Sequence, residues 1–292
     1  MTLQRKATII SSATATILVM IKLTVGILSG SVAVLASAID SVLDLIISAF
    51  NYFAITKAEQ PADEKFNYGK GKIEGLASVI EGTVITVSGL YILYEAIEKL
   101  FTKTPTTYLD VSLMVMGVSI VLTLALVMFL NHVAKKTNNL VIKSDALHYK
   151  TDLYTNAAVL ISLGLIAFTG LEFIDSVVGG AIAIYIIVSA YGIIKEGVLN
   201  LLDVALEDDL VRRIKYVIAA EPDAQDYHFL KTRRSGNINF VDVHLVFTPD
   251  MLLLTAHRAA DRVEENIQKL DPDSEWVINI HLDPYDDSDL LS

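Results

Sequence analysis

Six stretches of this chain stay apolar for long enough to cross a bilayer, at about 8 to 29, 31 to 56, 73 to 100, 109 to 133, 141 to 169 and 174 to 200, each meeting the requirement of about 20 helical residues. After Asn200 the apolar runs shorten and the charges rise. Helical spacing through Leu210, Val211, Ile214, Val217 and Ile218 predicts a helix over 207–221. Strands are predicted over 227–233 and 238–247, flanking the turn cluster Ser235-Gly236-Asn237. A second helix over 252–270 and a third strand over 276–283 complete the order αββαβ, which predicts helices packed on one face of a small sheet. The expected architecture is thus an all-α six-helix transmembrane bundle over 1–205 and a soluble α/β domain over 206–292. The acidic stretch 286–289 is expected to fray.

Basic residues set the expected orientation, because Lys and Arg collect on the cytoplasmic side. Arg5 and Lys6 precede the first span, Lys57, Lys65, Lys70 and Lys72 join the second to the third, and Lys135, Lys136 and Lys143 join the fourth to the fifth. The connections at Gly30-Ser31 and 170–175 carry none, and the remaining outer turn has only Lys103 near Lys99. Both termini are therefore expected in the cytoplasm of a multi-pass protein of the inner, or plasma, membrane. The first span is too long for a cleavable signal peptide and runs directly into the second. The chain is 53% hydrophobic and has no cysteine, which excludes disulfides, iron-sulfur clusters and thiolate zinc sites. Its net charge of −11 argues against a nucleic-acid partner.

Two pairs stand out inside the apolar spans: Asp40 with Asp44, and His148 with Asp152. A spacing of i and i+4 puts each pair on one helix face. An ionisable group at the bilayer centre costs roughly 3 kcal/mol on insertion scales, and a bound divalent cation offsets that cost. With about 1.5 Å of rise per residue, Asp44 lies roughly 20 Å from the Lys57 end of its span, and His148 to Asp152 roughly 12 to 18 Å from the Leu140 end. The pairs can meet near mid-depth as a site for zinc, cadmium, iron(II), cobalt or manganese. The competing reading, polar residues that merely glue helices together, suits a lone Asp better than two matched pairs. Asp145 is read as part of the cytoplasmic access route, and Glu74 and Glu81 as lining a watery cavity. Glu95 and Glu98 are placed at the outer interface and His132 at the inner one, while Lys22 is expected to snorkel or pair with a carboxylate.

Four of the six histidines lie in the last third of the chain. Strand alternation turns His244 away from the core face of Val243 and Leu245, and turns His281 and Asp283 away from that of Trp276, Ile278, Ile280 and Leu282. With His228 and His257 they supply enough donors for two metals bridged by Asp283. Scattered surface histidines are the plain alternative.

These motifs resemble the cation diffusion facilitator family, most closely its bacterial zinc and iron efflux branch. The resemblance runs through Gly30-Ser31, Asp40-Ser41-Val42-Leu43-Asp44, Gln60-Pro61-Ala62-Asp63, Tyr68-Gly69-Lys70-Gly71-Lys72-Ile73-Glu74 and Asp145-Ala146-Leu147-His148-Tyr149-Lys150-Thr151-Asp152. It continues through Leu202-Asp203, His228, Lys231-Thr232-Arg233, His244, His257 and His281-Leu282-Asp283-Pro284. It implies a homodimer exporting divalent cations against protons, with a metallochaperone-like, ferredoxin-like cytoplasmic domain. It implies a transport site of Asp40, Asp44, His148 and Asp152, a regulatory site of His228, His244, His257, His281 and Asp283, and a charge interlock between Lys72 and Asp203. A further loop site of related zinc transporters corresponds to Asp63, Phe66 and Lys70, and is expected to be absent because Phe offers no ligand and Lys repels a cation. Leu282 stands where relatives can carry a polar residue.

The expected activity is proton-coupled metal export by alternating access, with zinc or another divalent cation as substrate and regulator, and with no organic cofactor and no enzymatic reaction. Metal binds deprotonated ligands, so loading releases protons and protonation expels the metal. An intramembrane metalloenzyme is the first rival, but the sequence has no His-Glu-x-x-His motif. A membrane-anchored metal sensor is the second, and it leaves the costly intramembrane ligands unexplained.

Overall fold

The computed structural model describes residues 2–29, 32–102, 110–169, 173–272 and 274–287. The expected turns at Gly30-Ser31 and around Lys103, and part of the expected connection at 170–175 and of the acidic end at 286–289, lie outside these residues. The chain divides into two compact units, Met1–Gly69 with Ile73–Val198, and Lys70–Lys72 with Leu199–Ser292.

The first unit holds six long helices: α1 (Leu3–Ser29), α2 (Val32–Ala58), α3 (Ile73–Thr102), α4 (Asp110–Thr137), α5 (Leu140–Thr169) and α6 (Phe173–Leu201). Stretches of α1, α2, α3, α4 and α6 are long and apolar enough to cross a membrane. The apolar run of α5 is interrupted by Lys143, Asp145, Lys150 and Asp152 in its first half. Helix α2 packs on α1, α3 and α5, and α4 packs on α1 and α5. Small residues permit this closeness: Ala7, Ala15, Ala38, Ala54 and Ala77 are buried. A Cβ added at Gly82 of α3 would come within 2.7 Å of the Ile194 side chain on α6, and one at Gly197 of α6 within 2.9 Å of the Gly75 carbonyl. Large apolar side chains such as Val87, Val121 and Val188 point outward and are exposed, as a lipid-facing surface requires.

Two asparagines join α4 to α5 and fix where α5 starts. Asn138 adopts φ 49°, the left-handed conformation that Asn tolerates just after a helix, and its N–H donates to the Ala134 carbonyl at 2.9 Å. The Asn139 Oδ1 then accepts the Ile142 N–H at 3.1 Å, capping the first turn of α5.

The second unit contains α7 (Asp208–Ala219), β1 (Asp226–Ser235), β2 (Ile238–Val246), α8 (Leu253–Gln268) and β3 (Glu275–Asp283). The expected αββαβ order forms, each end within two residues of its expected place. Strand order is β1-β2-β3, antiparallel between β1 and β2 and parallel between β2 and β3. The parallel pair requires a crossover, and α8 supplies it. Between β1 and β2 the chain turns through Gly236 at φ 60° and Asn237, where glycine carries the positive φ at no steric cost. Ile214 and Ile218 of α7, Val241, Val243 and Leu245 of β2, and Ala259, Val263 and Ile267 of α8 form one core. The apolar sheet face therefore lies under the helices. Arg262 of α8 ties that helix to the chain before β1, donating through Nη2 to the Asp223 carboxylate at 2.6 Å and also to Glu221. The hydrogen bonds to Glu221 and then Asp223 push the Arg262 pKa further above its ordinary value.

Candidate metal centres

Helices α2 and α5 bring the first group of ligands together. His148 Nε2 lies 3.1 Å from Asp44 Oδ1 and 3.9 Å from Asp152 Oδ2. Ligand atoms of Asp44, His148 and Asp152 all fall within 4.8 Å of one another. Donors about 2.0–2.1 Å from a tetrahedral zinc ion stand about 3.3 Å apart, a separation those two distances bracket. The three residues line a cavity of about 270 Å³ that Asp40, Lys22, Ser41 and Tyr149 also line. Asp40 shares the cavity but is not among the three whose ligand atoms already converge. The fourth expected ligand is one helical turn away along α2.

The surrounding polar residues depart from several expectations. Lys22 does not snorkel: it is buried, and its Nζ donates to Ser41 Oγ at 2.8 Å and to the Ser37 carbonyl at 3.3 Å. Asp145 is fully buried and does not line an open access route. Asn51 Nδ2 donates to its Oδ1 at 3.1 Å and to both Glu81 oxygens, at 3.3 and 3.2 Å. The amide clamps the two carboxyl groups between α2, α3 and α5, so Glu81 belongs to a packed network and not to a watery cavity. Glu74 is buried as well. Nearby, Ser48 Oγ lies 3.0 Å from Ser11 Oγ and 2.8 Å from the Tyr149 hydroxyl. Ser48 and Asn51 follow Asp44 at i+4 and i+7, a polar stripe whose periodicity could have identified them. Glu95 and Glu98 are exposed, as is His132. Tyr91 donates its hydroxyl to Glu95 at 2.8 Å.

The second group lies on the sheet face opposite the helices. Register aligns His228 with His244, and His244 with His281, across three neighbouring strands. Asp283 follows two residues after His281, on the same face. Its carboxylate lies 2.9 Å from His244 Nδ1, 3.1 Å from His281 Nε2 and 3.4 Å from His228 Nε2. A bulge between His228 and Lys231, with Phe229 at φ 57°, sets this geometry. The inserted residue sends His228 to the ligand face while Leu230 stays against the core. His257 does not join the others within the chain: it is exposed on α8, 3.8 Å from Asp261. The helix that carries it covers the apolar face. Strand alternation could not have suggested Asp287, whose carboxylate lies 3.0 Å from His228 Nε2. Ligand atoms of His228, His244, Asp283 and Asp287 lie within 4.8 Å of one another.

Within the second unit, Lys72 Nζ donates to Asp203 Oδ2 at 2.7 Å and to the Leu201 carbonyl at 3.0 Å. Arg233 Nη1 approaches the other Asp203 oxygen at 3.4 Å. With side-chain exposures of 36% and 44%, the Lys72–Asp203 pair is worth at most about 1 kcal/mol. Asp63 of the loop after α2 accepts the Lys65 and Phe66 N–H groups at 2.9 and 2.8 Å, a local turn.

Residues 8–202 match the family model for the cation efflux transmembrane domain, and residues 206–285 match that for the cytoplasmic domain of cation efflux proteins. The chain is similar to the cation-efflux pump FieF of Citrobacter koseri, 34% identical over 279 residues, covering 96% of this chain and 92% of that protein. The pump of the same name from Klebsiella pneumoniae subsp. pneumoniae is 36% identical, and that of Escherichia coli K12 34% identical, over the same shares. These relatives are transporters rather than enzymes. Matching of this extent, together with long apolar helices and a cluster of potential metal-ligating side chains between two of them, places the chain in the cation efflux family of multi-pass membrane transporters, the cation diffusion facilitators.

Proposed function

We propose that the chain exports a divalent transition-metal cation from the cytoplasm in exchange for protons, with Asp40, Asp44, His148 and Asp152 holding the ion in the cavity between α2 and α5. The observation that carries this reading is the convergence of Asp44, His148 and Asp152 on one cavity in a chain of this family. All six long helices cross the membrane in it, with both termini in the cytoplasm of the plasma membrane. Residues 1–205 transport, and 206–292 form a ferredoxin-like regulatory and dimerising domain. The matching cytoplasmic-domain family, named for dimerisation, supports a homodimer.

Zinc and iron(II) are the leading substrates, and the oxygen-rich donor set with one imidazole also accepts cadmium, cobalt and manganese. Entering metal displaces protons from carboxyl and imidazolium groups, and protons arriving from the opposite side displace the metal. Alternating exposure of the cavity to the two sides makes this competition an antiport. In the second unit, metal among His228, His244, His281 and Asp283 shifts the conformational balance only if the two states bind it differently.

Zinc or iron(II) flux into proteoliposomes under an imposed pH gradient tests the transport reading. Wild type is expected to show gradient-driven flux, and Asp44→Ala to lose it while eluting as the same oligomer. Full flux in the variant overturns the site assignment, and flux indifferent to the gradient overturns the antiport.

A further inference from the structure

The chain beyond β3 returns to the histidine face. Pro284 and Tyr285 bend after Asp283, and the next two residues bring their carboxylates to the same imidazole. Asp286 Oδ1 stands 3.5 Å from His228 Nδ1, and Asp287 Oδ1 stands 3.0 Å from His228 Nε2. Carboxylates thus stand at both edges of the His228 ring, and an outer carboxylate of this kind orients a metal-binding histidine.

At neither nitrogen is the geometry that of a hydrogen bond. Both His228 nitrogens and Asp287 Oδ1 are buried atoms with no hydrogen-bond partner among the described residues, although Nε2 and Oδ1 are only 3.0 Å apart. A buried acceptor so close to an imidazole nitrogen, yet misdirected for an N–H···O bond, suits two donors aimed at a shared third atom. Their neighbours supply the rest: His244 and Asp283 complete the set of four within 4.8 Å, and Asp283 is buried. Burial without a partner is unfavourable for such atoms, and a bound cation supplies the partner.

We propose that Asp287 is a direct ligand of a divalent transition-metal ion held with His228, His244 and Asp283, so that the segment after β3 closes this site from within its own chain. The inference rests on reading the histidine face as a metal site, and adds to it a carboxylate that strand alternation does not provide. Two imidazoles and two carboxylates make a harder donor set than the histidines with Asp283 alone, one that accepts manganese(II) and iron(II) as well as zinc. Metal loading then fixes the chain after β3 against β1.

The test uses the full-length protein in detergent, carrying Asp44→Ala to disable the first cluster, and titrates it with manganese(II) and cobalt(II). Asp287→Ala and Asp287→Asn are expected to weaken binding by about tenfold or more, a loss no smaller than that for disturbing an outer partner of a ligand, and to alter the cobalt(II) visible spectrum. His244→Ala is expected to weaken it too. Loss with His244→Ala but unchanged affinity and spectrum with both Asp287 variants overturns the role of Asp287 and leaves the histidine site standing. No change with any of the three overturns both.

Discussion

Lys22 is the residue that most changes how the α2–α5 cavity is understood. A lysine beside acidic metal ligands occupies space and potential that a divalent ion would otherwise have to itself. Its Nζ is fixed on α2 by Ser41 Oγ and the Ser37 carbonyl, and it lines the same cavity as Asp40, Asp44, His148 and Asp152. A charge held within such a cavity interacts with a divalent ion by a few kcal/mol even at an effective dielectric of about 20. Lys22→Met, which keeps length and loses charge, is therefore expected to tighten zinc binding by at least about tenfold at fixed pH. Titration calorimetry of the purified protein decides this, and an unchanged or weaker affinity would show that the ammonium serves packing alone. The meeting of Asp44, His148 and Asp152 was legible because acidic residues and a histidine at i,i+4 spacing have few other uses inside an apolar helix. Lys22 was not, since a single basic residue in a span looks the same whether it snorkels or turns inward.

At the level of elements, small backbone devices position both clusters. Asn138 and Asn139 set the start of α5 and hence the rotation at which His148 and Asp152 face α2. The Phe229 bulge aims His228. Periodicity revealed the helices and strands but not these devices, because a bulge reads in sequence as one more strand residue and a left-handed asparagine as any loop asparagine. Gly71 is a third such device, inside the Lys70–Lys72 segment that belongs to the second unit. A Cβ there would lie 2.5 Å from the Ser235 carbonyl carbon and 2.6 Å from the Gly236 nitrogen, backbone atoms that cannot move without opening the β1–β2 turn. Gly71→Ala is expected to cost about 1–3 kcal/mol, the range for forced overpacking, and to pull Lys72 away from Asp203. A lowered unfolding midpoint would register this. If Lys72→Ala lowered it as much as Gly71→Ala, the charge pair rather than the close approach would be the cause, against the small value expected for so exposed a pair.

Across the whole molecule, the proposed function subjects both clusters to the same proton competition, and ligand chemistry fixes its sign. Carboxylates and imidazoles bind metal only when deprotonated. As pH falls, protons compete with the metal for carboxylate and imidazole donors, and the apparent affinity for metal falls. Each proton displaced on binding contributes up to about tenfold in affinity per pH unit. Zinc binding measured between about pH 6 and 8 should therefore tighten as pH rises, with proton release seen as a buffer-dependent heat. The Asp44→Ala variant separates the units, because the pH dependence that survives in it belongs to the second. Transport adds a requirement that binding alone does not: the same protons must be delivered from one side of the bilayer and lost to the other. An acid-outside gradient should accelerate export, a collapsed gradient should slow it, and a reversed gradient should oppose it. Metal affinity that ignored pH would mean that no protons are exchanged at the ligands, and gradient-driven export would then need a proton carrier elsewhere in the fold. Glu81 and Asp145, clamped by Asn51 beside the cavity, would become the groups to substitute next.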